Sequence, residues 1–154
     1  MRINKKTVKQ FIEHVNFRKG TDNEAINYGL MGEIGEVTDL IKKYKFHGHD
    51  LDLEKLTEEV GDVLFYWGWF FVSISENLES SIDDFSKFLE YLITEKFLRG
   101  IDLEDSMYKT ICAILSSTID EYHLDINEIL LYNIEKLEKR YPDGFDKERS
   151  KNRK

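Results

Sequence analysis

Apolar residues recur every three or four positions along most of this chain, and a single proline, Pro142, falls near its C-terminal end. Steps of three and four keep side chains on one face of an α-helix. A chain without internal proline can run long helices unbroken. No stretch alternates apolar and polar residues with the period of two that a half-buried strand needs. The reading is an all-α fold, an antiparallel helical bundle of about five to six helices. With 154 residues it forms one domain, 1–154, large enough to bury a core without staples.

A first helix is expected over Thr7–Phe17, broken by Arg18, Lys19 and Gly20. A long second helix opens at Thr21-Asp-Asn-Glu24, which has the form of a capping box. It carries Ile26, Leu30, Ile34, Val37, Ile41 and Tyr44 on one face and ends in residues 45–50. A third helix follows Asp52 with the stripe Leu56, Val60, Val63, Trp67, Phe70, Phe71 and Ile74. The apolar run Val63–Ile74 contains Gly68 and has polar flanks, so it is too short for a membrane span and reads as a buried helix. A fourth helix is expected over 82–98, stopping at Gly100, and a fifth over 103–122. The last is capped by Asp125, carries Leu130, Ile134, Leu137 and Tyr141, and stops at Pro142 and Gly144. Residues 147–154 make a basic polar tail, expected to be mobile.

The formal net charge of -8 argues against a nucleic-acid binder, which needs a basic face for phosphates. It fits a chain that gathers carboxylates around a divalent cation. Cys112 is the lone cysteine, so there is neither an internal disulfide nor a Cys/His set for zinc. The opening MRINKKTVKQ is polar and carries no apolar core of a signal peptide. A reducing, cytoplasmic location and no membrane partner are the expectations.

Two short motifs carry the chemistry: Glu33-Ile-Gly-Glu36 and Glu59-Val-Gly-Asp62. Each sets two acids three residues apart, neighbours on a helix surface. Taken singly, such a pair reads as an ordinary solvated face. Their relation says more. With about 100° of turn per residue, Glu33 lies roughly 60° and Glu36 roughly 120° to one side of the apolar stripe. Glu59 and Asp62 fall at the same offsets on the next helix. A short connection makes the two helices antiparallel, which brings equal-handed flanks to one side of the pair. Counting from the turn sets Glu36 near Glu59 and Glu33 near Asp62. Four carboxylates that close repel unless a cation neutralises them, and oxygen ligands without His or Cys select Mg²⁺, Mn²⁺ or Ca²⁺.

Glycines stand at 29, 32 and 35 in the second helix and at 61 and 68 in the third. Each costs about 1 kcal/mol against alanine, which suggests close backbone approach or room for a ligand. On the last helix, Asn133 and Lys136 share the flank that the acids occupy, and Arg140 falls between them. An amide and cationic edge of this kind can receive phosphate oxygens.

The block Gly29-Leu-Met-Gly-Glu-Ile-Gly-Glu-Val-Thr-Asp-Leu-Ile-Lys42, followed by Glu58-Glu-Val-Gly-Asp-Val-Leu-Phe-Tyr66, resembles the MazG-like nucleotide pyrophosphohydrolases. Glu33, Glu36, Glu59 and Asp62 match that family's E-x-x-E and E-x-x-D signature. Asn133-Ile-Glu-Lys-Leu-Glu-Lys-Arg-Tyr-Pro-Asp-Gly-Phe145 is similar to its C-terminal stretch. The resemblance covers 21–72 and about 113–150. The chain departs from the pattern by a helical insertion over 76–113.

The resemblance implies hydrolysis of a nucleoside triphosphate to monophosphate and pyrophosphate, in the manner of nucleotide-pool house-cleaning. It implies Mg²⁺, with Mn²⁺ as a substitute, held by Glu33, Glu36, Glu59 and Asp62, with Glu33 or Glu36 as base. Asn133, Lys136 and Arg140 would hold the phosphates. Tyr66 and Trp69 are candidates to stack on the base, whereas Trp67 sits on the core stripe. A homo-oligomer, dimer or tetramer, is expected. The rival readings are a di-iron carboxylate bundle, which lacks its Glu-x-x-His pairs here, and a non-enzymatic helical interaction module with solvated acids.

Overall fold

A computed structural model describes residues 2–94, 107–144 and 146–152. Among these residues seven α-helices occur in the order α1 (Lys5–Val15), α2 (Glu24–Phe46), α3 (Leu53–Ile74), α4 (Leu78–Thr94), α5 (Met107–Glu121), α6 (Ile126–Arg140) and α7 (Lys147–Asn152), with a 3₁₀ turn at Asn16–Arg18. No strand occurs among the described residues. None of these helices is long and apolar enough to cross a membrane. The seventh helix adds one to the number read from the sequence: Lys147–Asn152, read as a polar tail, is helical. The expected fourth-helix end at 95–98, its stop at Gly100 and the start of the fifth at Leu103 lie outside the described residues.

The centre of the bundle is α3, which packs against α1, α2, α4 and α6. Its apolar surface is wider than one stripe. Besides Leu56, Val60, Val63 and Trp67 it buries Leu64, Phe65, Trp69 and Val72, while Ile74 is exposed. A helix apolar nearly all round must be enclosed, and here four neighbours enclose it. On α2 the predicted stripe is buried at Ile26, Leu30, Ile34 and Val37, and opens to solvent at Tyr44. Two glycines let neighbours close in on α3. A Cβ on Gly68 would lie 3.1 Å from Phe11 of α1, and one on Gly61 would lie 3.4 Å from Ile129 and Asn133 of α6.

Caps fix where the helices begin. Asp52 accepts from the Lys55 amide, and Asp125 from that of Asn127. Asn4 caps α1 through the Lys6 and Thr7 amides. The expected capping box at Thr21 does not form: the Thr21 hydroxyl donates to the Arg18 carbonyl at 2.8 Å, and α2 starts at Glu24 with no side-chain cap. The chain turns tightly there, with Gly20 at φ +71 and Asp22 at φ +37, which carries Thr21 away from the helix start. At the far end Asn127 Oδ1 accepts from the Asn4 amide and Asn127 Nδ2 donates to the Arg2 carbonyl, both at 2.9 Å, joining the N-terminal segment to α6.

Candidate active site

Helices α2 and α3 run antiparallel through the short turn at 47–52, so early residues of one face late residues of the other. Gly29 lies under the ring of Tyr66, and a Cβ there would sit 2.1 Å from Tyr66 Cε1. One turn further along α2, Glu33 meets Glu59 and Asp62. One carboxylate oxygen from each of the three lies within 4.8 Å of the others. Glu36, a turn beyond Glu33, is exposed and stands apart from this trio. The flank geometry read from the sequence thus brings three of the four acids together.

Cations hold two of the three acids, Glu59 and Asp62, in place. Lys55 Nζ lies 3.0 Å from Glu59 Oε1 and 3.5 Å from Glu58 Oε2. From α6, Asn133 Nδ2 donates to Asp62 Oδ1 at 3.2 Å, and Lys136 Nζ donates to the same oxygen. Glu58 Oε1 lies 3.7 Å from Lys136 Nζ and 3.5 Å from Arg140 Nη2. All three residues singled out on α6 therefore face α3 and its acids. Asn133 is 1% exposed, so its side chain is fixed inside the packing between α6 and α3.

Burial leaves Glu33 and Asp62 reluctant to ionise, and neighbouring acids add repulsion. Glu33 is pushed up to about 7, first by desolvation, then by the charges of Asp62 and Glu59, with Lys136 opposing. Asp62 is raised by burial, against the pull of Lys136.

A cleft of about 410 Å³ opens beside the trio. Glu33, Asp62, Lys136 and Arg140 line it, together with His14, Phe17, Arg18, Phe65, Tyr66 and Tyr141. That volume lies in the range of small-molecule sites, and the lining combines apolar rings with a few charged groups. Trp69 does not line it. It is 2% exposed and lies behind the wall, with Tyr66 stacked on it at 5.8 Å and the Arg18 guanidinium 4.7 Å over its ring. Trp69 therefore offers the cleft no open face and packs against Tyr66 and Arg18, which do line it. Trp67 is in the core against Phe88. Lys42 is exposed and Lys43 half-buried, and both pair with Asp39.

Several lining groups were invisible to sequence reasoning. Phe17, read as the end of the first helix, and Arg18, read as part of its break, both arrive on the 3₁₀ turn after α1, which ends at Val15. His14 lies on α1, edge-on to Phe65, and burial holds its pKa below the usual range. Lys55 had a legible signal, since it stands four residues before Glu59 on one helix.

A family model describing the MazG nucleotide pyrophosphohydrolase domain matches residues 21–97, half of the chain. The matched stretch holds all three acids of the trio and runs through α4, so much of the segment read as an insertion falls inside it; Asn133, Lys136 and Arg140 lie beyond it. No curated protein and no solved structure matches the chain.

Proposed function

The chain belongs to the MazG nucleotide pyrophosphohydrolase family, and from that premise we propose that it hydrolyses nucleoside triphosphates to nucleoside monophosphate and pyrophosphate with Mg²⁺, Mn²⁺ serving as a substitute. One observation carries the reading: Glu33, Glu59 and Asp62 converge within 4.8 Å beside a cleft lined by cations and aromatic rings.

The donor set suits the ion. Three carboxylates this close, one of them with its pKa driven to about 7, form a site that a divalent cation relieves. Hard oxygen donors of this kind select Mg²⁺ or Mn²⁺. Glu33, Glu59 and Asp62 would hold it, with Glu36 joining from its exposed position. When bound, the ion supplies charge neutralisation for the phosphates and eases deprotonation of water.

The remaining work falls to the chain's own side chains. Lys136 offers the phosphates a compact charge and Arg140 a planar fork. Asn133 fixes Asp62 through its amide hydrogen. Glu33 lines the cleft, whereas Glu36 is exposed outside the trio, which favours Glu33 as the group that takes the water's proton. Tyr66 presents a ring at the cleft wall, backed by Trp69, and suits a nucleobase.

The reading includes a homo-oligomer in the cytoplasm. Its support is the outer face of α2, where Tyr28 and Met31 are exposed and the open backbone of Gly32 and Gly35 permits close approach.

The test is substitution at the trio. Glu59→Gln and Asp62→Asn should each abolish turnover while leaving the far-ultraviolet circular dichroism unchanged. Wild-type turnover in both variants would refute the assignment.

A further inference from the structure

Lys136 belongs to α6, but α3 holds its ammonium group. Nζ donates to Asp62 Oδ1 and lies 3.7 Å from Glu58 Oε1, and the side chain is 9% exposed. An ammonium group this enclosed has lost water, and the carboxylates beside it offset that loss. Yet Asp62 is also one of the three acids whose oxygens converge. Its Oδ1 already accepts from Asn133 Nδ2 and from Lys136, which fills the two lone pairs that one oxygen offers. A divalent ion entering the trio would meet a tethered cation already bonded to one of its ligands.

We propose that Lys136 is the site's own counter-cation. It neutralises Asp62 and Glu58 before metal arrives, a divalent ion displaces it from Asp62, and the freed ammonium turns to the phosphates. The proposal rests on the reading of Glu33, Glu59 and Asp62 as metal ligands. Lysine suits the task because its charge sits at the end of a flexible four-carbon stem. Arg140, 3.5 Å from the same Glu58 oxygen, remains to hold Glu58 when Lys136 leaves. Metal binding and phosphate binding are then coupled, since the ion releases the group that receives the phosphate.

The experiment measures Mn²⁺ binding without nucleotide, by the paramagnetic resonance of the free ion, in wild type, Lys136→Gln and Arg140→Gln. Melting temperatures are taken without Mn²⁺ and at saturation. Arg140→Gln removes the same charge from the same cleft without touching a ligand carboxylate. Lys136→Gln should bind Mn²⁺ about tenfold tighter or more, because a charge in contact with a ligand is lost. Arg140→Gln should tighten binding less. Lys136→Gln should also melt below wild type without metal and recover when Mn²⁺ saturates the site. Lys136→Met, which keeps the apolar stem, replaces it if the glutamine variant does not fold.

Unchanged or weaker Mn²⁺ binding in the Lys136 variant overturns the proposal, and so does equal tightening in both variants. An equal loss of melting temperature with and without Mn²⁺ overturns it too, because the bridge then persists beside the metal. Absence of Mn²⁺ binding by wild type would instead defeat the metal-site reading beneath it.

Discussion

Glu33 shows how a side chain takes its character from its neighbours. Its usual carboxyl value of 4.5 rises to about 7 because burial strips water from it and two acids repel its charge. Between those values the folded protein holds a proton that the unfolded chain has lost. This contribution to stability is therefore greatest at low pH and is lost as pH rises from 4.5 towards 7. Metal-free protein should accordingly lose melting temperature across that window, and Glu33→Gln should flatten that part of the profile. Gly29 is a second case. A methyl group there would lie 2.1 Å from the Tyr66 ring, so the ring must move off its seat on α2. Gly29→Ala should cost about 1–3 kcal/mol in urea unfolding and raise KM more than it lowers kcat. The three glycines at 29, 61 and 68 answer to close contacts, whereas those at 32 and 35 face open space. Sequence spacing could not separate the two groups, because glycine marks absence of a side chain without saying what fills the gap. Glu33, Glu59 and Asp62 were legible for a different reason, since two motifs at equal offsets on antiparallel helices point to one side; the same reasoning placed Glu36 with them, and it stands apart.

Among the elements, α3 departs most from its sequence reading. The stripe Leu56, Val60, Val63, Trp67, Phe70, Phe71 and Ile74 left out Leu64, Phe65, Trp69 and Val72, which are buried as the apolar run Val63–Ile74 indicated, and included Ile74, which is exposed. Periodicity finds one face against a polar background and loses its contrast where a helix is apolar all round. The same limit misplaced Trp69, which has a polar ring nitrogen and lies off the stripe, yet packs under Tyr66 and Arg18. Helix starts read better where the cap is local. Asp125 caps α6 as the sequence indicated, but Thr21 is diverted to the Arg18 carbonyl by the turn before α2. The two sites should therefore respond differently to alanine. Asp125→Ala should cost about 0.5–2 kcal/mol, and Thr21→Ala should stay within about 0.5 kcal/mol, both from chemical unfolding at equilibrium.

For the whole molecule, the site exists because two consecutive helices share a groove with a third from far along the chain: α2 brings Glu33, α3 brings Glu59 and Asp62, and α6 brings Asn133, Lys136 and Arg140. The first two helices were readable as a pair through their short turn. The docking of α6 rested on matching flank offsets, and the cleft wall from α1 and its 3₁₀ turn had no signal, since nothing local records which loop closes over a groove. The outer face of α2 gives the proposed assembly a direct test. Met31→Glu places a charge on that face and should reduce the mass in light scattering to that of one chain, 18.3 kDa. The central claim concerns chemistry, and product analysis tests it most directly. The eight common nucleoside triphosphates are each incubated with purified protein, with and without Mg²⁺, and the products are separated by chromatography. Monophosphate and pyrophosphate, formed only with metal, are the predicted result, whereas diphosphate and phosphate, or the same turnover without metal, would contradict it.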